Sequence, residues 1–129
     1  MKKFSIKNLE FIPAAHEDPQ NRGTLKKVIF TVNDVKIKGT VQMINWCKME
    51  TGKSFALHYH ECMDEIFIIL SGKAQIKIDK ESALIQATDT IYVPKQAKHE
   101  MTNISKTNVE YIVIGIVKKP GGKTIVVKK

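Results

Sequence analysis

The residues that decide the fold are 52–72, which read GKSFALHYHECMDEIFIILSG. Alternate side chains of a β-strand share a face, so His58 and His60 point the same way while Tyr59 points oppositely. Glu65 opens the next apolar run after a connection of four residues. We expect antiparallel pairing of the two segments to bring its carboxylate beside the imidazoles. One hairpin is therefore predicted to gather three side chains that can bind a metal.

A fourth candidate ligand lies downstream, where an apolar run ends at Pro94 and a short turn leads to His99. If the face that carries His99 looks inward, three neutral imidazoles and one carboxylate surround a cation. Such a set suits first-row divalent metals and leaves positions free for water or substrate. We therefore predict one divalent transition metal ion, with iron, manganese, nickel, zinc and copper not distinguished, bound by His58, His60, Glu65 and His99.

These two segments match a known pair of motifs. The first motif is matched at all its fixed positions, which are Gly52, His58, His60, Glu65 and Gly72. The second motif is matched at Pro94, His99 and Asn103, whereas Thr88 and Gln96 stand where that motif has glycine. On these residues the chain resembles the cupin superfamily, specifically its small single-domain members, whose fold is a double-stranded β-helix, also called a jelly roll.

The rest of the chain is also patterned as strands. Segments with period-two alternation or β-branched residues are separated by turn signals such as Asn33-Asp34, Ser71-Gly72 and residues 79–82. The predicted strands span residues 27–32, 35–46, 54–60, 65–70, 74–79, 90–93, 98–103, 109–117 and 124–127. Almost nothing is patterned as helix. The predicted fold class is therefore all-β, a jelly-roll or cupin barrel with an irregular N-terminal arm.

A length of 129 residues fits one domain. We expect a single cupin domain over residues 1–129, divided into an N-terminal arm at 1–24, a barrel core at 25–118 and a C-terminal strand extension at 119–129. The run 124–127 has the pattern of an exposed edge strand, which invites pairing with another chain. The resemblance to small cupins also implies a homodimer.

The net charge and the cysteine content indicate which partners and which cellular compartment to expect. The formal net charge is +8, but Arg22 is the only arginine and the lysines are dispersed, which argues against specific nucleic-acid recognition. Small anions would still be attracted by the long-range field. Cys47 and Cys62 form no Cys-x-x-Cys pair, and no run approaches the ~18 apolar residues of a membrane span. We therefore expect a cytoplasmic protein without a membrane partner.

Three other residues are considered as possible parts of the site. Glu61 and Asp64 stand close enough to replace Glu65 as the carboxylate ligand, but the six residues between Glu65 and Gly72 favour Glu65. His16 lies among acidic neighbours in the arm, and we interpret it as a loop histidine rather than a part of the pocket mouth.

The walls of the predicted pocket follow from strand parity. The candidates that share the interior parity are Phe67, Ile69, Met101, Tyr111 and Val113. Trp46 and Cys47 are adjacent and so face opposite ways, and the sequence does not decide which of them faces inward. No catalytic residue is identified, because Tyr92, Tyr111 and Cys47 are candidates only if they face the pocket. Asn103 is interpreted as a residue that stabilises a turn by bonding its backbone.

The function that the resemblance implies is a metal-dependent enzyme, of dioxygenase, isomerase or decarboxylase type. A divalent cation with one carboxylate leaves a formal charge of about +1, so the preferred small-molecule ligand would be anionic or polar. The alternative is a binding or sensing module for a small molecule, without catalysis. A third hypothesis is a metal-free barrel that serves protein interaction.

Overall fold

The computed structural model describes all residues from 1 to 129 and is built almost entirely of antiparallel strands. The strands are β1 (Lys2–Ser5), β2 (Ile12–Pro13), β3 (Leu25–Lys26), β4 (Thr40–Met49), β5 (His58–His60), β6 (Met63–Ser71), β7 (Lys73–Ile78), β8 (Glu81–Gln86), β9 (Asp89–Val93), β10 (His99–Asn103), β11 (Val109–Val117) and β12 (Thr124–Val126). The one helical element is a 3-10 turn over Ile6–Asn8. No helix has the length and apolar character that crossing a membrane requires.

Two five-stranded sheets pack face to face. The first, called sheet I here, has the order β1-β9-β6-β11-β4, and the second, sheet II, has the order β12-β5-β10-β7-β8. Strands β2 and β3 pair only with each other. This arrangement is a jelly roll, so the predicted fold class is confirmed.

The core lies between the inner faces of the two sheets. In β7 the side chains alternate strictly, with Ala74, Ile76 and Ile78 buried and the residues between them exposed. In β11, Val109 and Val113 are buried in the same alternating way. Burial of one such aliphatic side chain contributes about 1.5–3 kcal/mol to stability. Period-two patterning in both sheets therefore produces one continuous apolar layer.

Most predicted strands are present. Those predicted over 65–70, 74–79, 90–93, 98–103, 109–117 and 124–127 are confirmed to within two residues at each end. The strand predicted over 35–46 begins at Thr40, and the one predicted over 54–60 begins at His58.

The strand predicted over residues 27–32 is wrong. Asp34 accepts a hydrogen bond from the Thr31 backbone N–H at 2.9 Å and closes a turn there. Phe30 packs instead against Phe4, with ring centroids 5.3 Å apart. β-propensity reflects side-chain packing on a pleated surface, and here that packing is made with the N-terminal segment rather than with a neighbouring strand.

The N-terminal arm was predicted to be irregular, and this prediction is wrong for residues 2–5, which form a strand. Strand β1 pairs antiparallel with β9, from Lys2 opposite Tyr92 to Ser5 opposite Asp89. A four-residue strand with two lysines carries too little periodicity to be recognised from sequence. The arm therefore supplies one edge of sheet I.

Strand β8 was not predicted, and its first two residues lie in a segment that was predicted as a turn. Residues 79–82 carry turn-forming side chains, but the loop consists only of Asp79 and Lys80, because Glu81 already pairs with Ile78. Asp79 adopts a positive φ of 52°, which a short hairpin loop requires and aspartate tolerates.

Three turns depend on left-handed backbone. Gly72 has φ 81°, and a Cβ there would approach the Asn108 carbonyl oxygen to 2.8 Å, so only glycine fits. Thr88 and Gln96, which replace glycines of the second motif, have φ 78° and 67°. The chain thus keeps the backbone geometry of these turns without glycine, which strains a β-branched residue such as Thr88 most.

We predict that Thr88→Gly stabilises the fold by about 0.5–1 kcal/mol, because relief of the left-handed strain exceeds the entropy that glycine costs. Thr88 is held by its backbone N–H to the Ile69 carbonyl at 2.8 Å, and glycine keeps this bond. Thermal unfolding should show an increase in Tm of about 2–4 °C.

Asp79→Gly is the matched control, because Asp79 also has a positive φ but its carboxylate accepts a hydrogen bond from the Lys98 backbone N–H at 3.0 Å. This variant should lose about 1 kcal/mol. A lower Tm for Thr88→Gly would show that strain at residue 88 is not a significant cost.

Candidate metal centre

The four side chains predicted to bind a metal come together inside the barrel. His58 and His60 project from β5, Glu65 from β6 and His99 from β10, and one ligand atom from each lies within 4.8 Å of all the others. Glu65 and His99 are buried, whereas His58 and His60 are half-buried. The cluster is therefore open toward solvent on the β5 side only.

The route by which Glu65 reaches the histidines differs from the prediction. Strand β5 belongs to sheet II and β6 to sheet I, so the two are not cross-strand neighbours in one hairpin. Glu65 faces His60 and His99 across the space between the sheets instead. On the sheet II side, His99 lies directly opposite His58 in the pairing of β10 with β5.

Each imidazole is held through its Nδ1 atom. His58 Nδ1 lies 2.6 Å from the Ala56 carbonyl oxygen, and His99 Nδ1 lies 2.8 Å from the Ala97 carbonyl oxygen. A carbonyl only accepts, so both Nδ1 atoms carry a proton, and in the neutral imidazole each Nε2 atom then keeps a free lone pair. This is the tautomer that a metal ligand needs.

The ligand atoms lack partners in the protein. His60 Nε2 and His99 Nε2 lie 2.9 and 3.1 Å from Glu65 Oε1, yet none of the three buried atoms has a hydrogen bond of acceptable geometry. An unsatisfied buried polar atom costs about 1–3 kcal/mol. A cation coordinated by all of them would satisfy these atoms together, so the residues fit a divalent transition metal.

Ionisation in the cluster also favours a cation. Burial alone would raise the pKa of Glu65, but the imidazoles of His60 and His99, about 3 Å from Oε1, favour the ionised carboxylate more strongly and lower the pKa to about 2. Burial lowers the pKa of His58 below its usual value of 6.5. Near pH 7 the carboxylate is therefore ionised and His58 is neutral.

The two competing carboxylates have other roles. Glu61 Oε1 accepts a hydrogen bond from the Lys123 backbone N–H at 2.9 Å, and Asp64 Oδ1 accepts one from the Tyr92 hydroxyl at 2.9 Å. Neither joins the cluster with Glu65, so of the three carboxylates the six-residue spacing favoured the one that lies beside the histidines.

His16 lies in the arm, exposed and apart from the cluster, as predicted. Its nearest acidic group is the Glu17 carboxylate, at 4.0 Å. Asn103 also behaves as predicted, because its amide donates to the Met49 carbonyl at 3.0 Å and to the Thr107 carbonyl at 2.8 Å.

The predicted pocket walls are all buried in the core, and they are Phe67, Ile69, Met101, Tyr111 and Val113. An aromatic residue beside the histidines, Phe55, was not predicted. The Phe55 ring lies 5.2 Å from the His58 ring and 5.8 Å from the His99 ring, edge-on to both. Parity from His58 would have placed it on the outer face, but residue 55 precedes the start of β5, where period two does not apply.

Of the adjacent pair on β4, Cys47 faces inward and Trp46 is 68% exposed. Cys47 lies directly opposite Tyr111 in the pairing of β4 with β11, and burial raises the pKa of both groups. Tyr92 lies outside the core and is bonded to Asp64. Of the three candidates for a catalytic role, only Cys47 and Tyr111 therefore lie on the interior side.

The cluster borders a small cavity at His60. A cavity of about 60 Å³ adjoins this histidine and is lined in part by Gln42, Cys62, Lys123 and Thr124. Larger cavities exist, such as one of about 500 Å³ lined by Lys77, Lys98 and Lys129, but they contain none of the four ligands. The convergence of four potential metal ligands, rather than the volume of a cavity, therefore identifies the candidate site.

Comparison with known proteins agrees with the architecture. The family model of the cupin domain matches residues 45–115. Among curated proteins, the uncharacterized protein MJ1618 of Methanocaldococcus jannaschii is 29% identical over 75 residues, which are 58% of this chain and 60% of that protein. The chain thus matches less than two thirds of that relative's length.

Two solved structures illustrate the similarity in fold. Oxalate oxidase in complex with the substrate analogue glycolate superposes with a TM-score of 0.58 at 22% identity, over 65% of this chain and 45% of that one. The oxalate decarboxylase of Bacillus subtilis, which has Mn(II) centres, gives a TM-score of 0.59 at 22% identity, over 73% of this chain and 26% of that one. At such identities the likeness shows the fold alone.

We predict that the metal-free protein loses stability between about pH 4.5 and pH 2 more steeply than Glu65→Gln does. The folded pKa of Glu65 is lowered from 4.5 to about 2, so its contribution is complete above pH 4.5 and is lost as the pH falls through this window. The difference should be about 3 kcal/mol. Urea unfolding in the presence of a chelator measures it, and parallel pH profiles for the two proteins would contradict it.

Proposed function

This chain belongs to the cupin superfamily, and from that membership we propose that it binds one divalent transition metal ion through His58, His60, Glu65 and His99 and acts as an enzyme on a small anionic or polar metabolite. One observation carries the proposal. Three buried ligand atoms, His60 Nε2, His99 Nε2 and Glu65 Oε1, converge within about 3 Å with no hydrogen-bond partner. A cation shared with His58 explains why these atoms are left unpaired.

The proposed substrate class follows from charge. One carboxylate against a divalent cation leaves about +1 at the centre, which favours an anionic ligand. The protein as a whole carries a formal charge of +8, which attracts anions from a distance. The complex of oxalate oxidase with glycolate supports a small carboxylic acid as the kind of molecule to test first.

The metal itself is left open among iron, manganese, nickel, zinc and copper, because imidazole and carboxylate ligands accept all of them. The Mn(II) centres of the similar oxalate decarboxylase support manganese as a candidate. When bound, such an ion supplies Lewis-acid or redox chemistry, and the reaction types we propose are those of a dioxygenase, an isomerase or a decarboxylase.

The protein's own groups have separate tasks in this proposal. Phe55 and Phe67 place aromatic edges against His99, at 5.8 and 6.2 Å between ring centroids, and exclude water from the buried side. Tyr111 and Cys47 keep their protons near pH 7, because burial raises the pKa of each. They can therefore donate a hydrogen bond to a bound molecule but are poorly suited to exchange a proton with it near pH 7.

A second candidate function is binding or sensing of a small molecule without catalysis. It is favoured by the same interior, because Tyr111 and Cys47 are both protonated and the remaining ionisable groups of the cluster are the proposed ligands. A protein of this type would hold an anion at the metal and return it unchanged.

Removal of one ligand tests the proposal. We predict that protein purified without an affinity tag carries close to one transition metal ion per chain by elemental analysis, and that His60→Ala reduces the metal content at least tenfold. His16→Ala is the matched control, because it removes an exposed histidine of the arm. It should leave the metal content unchanged.

Turnover then separates the two candidate functions. The metal-loaded protein is incubated with a panel of small carboxylic acids and sugar acids, with and without dioxygen, and products are followed by mass spectrometry. Product formation that disappears in His60→Ala supports an enzyme. Tight binding of a molecule recovered unchanged supports the binding module, and equal metal content in His60→Ala and wild type would refute the metal site.

The surface also supports a homodimer. Strand β4 forms an edge of sheet I, is ten residues long, and carries Lys48 as its only charged side chain. Its large exposed apolar side chains are Val41, Ile44 and Trp46. A long apolar edge strand is prone to pair with another chain.

We propose that two copies pair through β4 about a two-fold axis. The predicted alternative, β12, is also an edge strand but is only three residues long, so it offers fewer backbone groups for pairing.

We predict that the double variant Ile44→Lys with Trp46→Lys is monomeric in sedimentation-velocity experiments at concentrations where the wild type is a dimer. Lysines on this face would place like charges opposite each other across the axis. Leu84→Lys is the control, since Leu84 is a similarly exposed apolar residue on β8, at the edge of the other sheet. A monomeric wild type, or dissociation caused by Leu84→Lys, would contradict the interface.

A further inference from the structure

Strand β5, which carries two of the proposed ligands, is held mainly by the C-terminal strand. On its β10 side it has one register pair, His99 opposite His58. On its β12 side it has three, from Thr124 opposite His60 to Val126 opposite His58. The position of both histidines therefore depends on a strand that lies more than sixty residues away in sequence.

The contacts at the ends of β5 reinforce this dependence. The Glu61 backbone N–H donates to the Lys123 carbonyl at 2.9 Å, and the Lys123 backbone N–H donates back to the Glu61 carboxylate at 2.9 Å. Beyond the other end, the Val127 backbone N–H donates to the Leu57 carbonyl at 2.8 Å. The C-terminal segment is thus anchored on both sides of the ligand strand.

His60 differs from the other two histidines in its Nδ1 partner. His58 and His99 are each paired with a backbone carbonyl two residues earlier, which no side-chain substitution removes. His60 Nδ1 lies 2.9 Å from the Thr124 side-chain oxygen, Oγ1. The orientation of this imidazole therefore rests on one replaceable hydroxyl from β12.

We propose that Thr124 is a positioning residue for the metal centre: its hydroxyl accepts the Nδ1 proton of His60, which leaves the Nε2 lone pair free and aims it at the ion. This inference rests on the proposed metal binding. A hydroxyl can also donate a hydrogen bond, so unlike a carbonyl it does not by itself exclude the other tautomer. In the metal-bound state the Thr124 hydroxyl must accept the hydrogen bond from Nδ1, because Nε2 coordinates a metal only when it is unprotonated.

Zn²⁺ affinity of the full chain, measured by competition with a chromophoric chelator, tests this role. We expect Thr124→Val to weaken Zn²⁺ binding about 10- to 100-fold, since loss of a hydrogen-bond partner to a ligating histidine has effects of this size. Thr124→Ser keeps the hydroxyl and should restore most of the affinity. Valine preserves the β-branched shape of threonine, so the strand itself should persist.

Thr102→Val is the matched control. Thr102 also lies in sheet II and pairs its hydroxyl with Ser54 at 2.6 Å, but it contacts no ligand. The same chemical change there should leave the Zn²⁺ affinity within twofold of wild type. A general weakening of sheet II would instead lower the affinity of both valine variants equally, and this outcome would overturn the proposed role.

The tautomer gives a readout that does not depend on affinity. In the Zn²⁺-loaded wild type, ¹⁵N NMR should show a protonated His60 Nδ1 whose hydrogen exchange is slow, and Thr124→Val should accelerate this exchange while the Nδ1 signals of His58 and His99 stay unchanged. Equal Zn²⁺ affinity and equal exchange in wild type and Thr124→Val would overturn the inference and leave the metal site intact. No Zn²⁺ binding by the wild type would overturn both.

Discussion

The structure is organised around one unfavourable contact, in which the buried carboxylate oxygen of Glu65 lies about 3 Å from the Nε2 atoms of His60 and His99 with no hydrogen bond formed. Three electron-rich atoms at this distance repel each other unless protons or a cation lie between them. The barrel tolerates the arrangement because its two sheets pack firmly through the apolar layer around Ile76 and Val113. The core therefore provides the rigidity that holds a metal-binding geometry in place.

The turns beside the site show how this geometry is maintained despite departures from the glycines of the family's second motif. Gln96 adopts φ 67°, and its backbone N–H donates to the His60 carbonyl at 2.7 Å. Thr88 adopts φ 78° and donates from its backbone to the Ile69 carbonyl. Because the surrounding strands determine both conformations, the side chain can change while the backbone path and the hydrogen bond to the ligand strand are kept.

The edge of sheet I and the outer side of sheet II differ in the polarity of their exposed side chains. The edge of sheet I is apolar around Trp46, whereas a cavity on the sheet II side is lined by lysines that include Lys77 and Lys98. A self-contact through the apolar edge would leave the basic surface accessible to anions, whereas the cavity beside His60 borders that edge, because Gln42 of β4 lines it.

The sequence by itself determined the fold class and the identity of the four clustered side chains, because period-two alternation fixes which residues of a strand share a face. His58 and His60 were therefore assigned together, and spacing distinguished Glu65 from Glu61 and Asp64. Only the tertiary structure decided that Glu65 faces the histidines from the opposite sheet, that Phe55 and Thr124 contact them, and that residues 2–5 and 81–86 form strands. These features depend on which distant strands become neighbours, and that choice is made by packing of the whole barrel, which local periodicity does not encode.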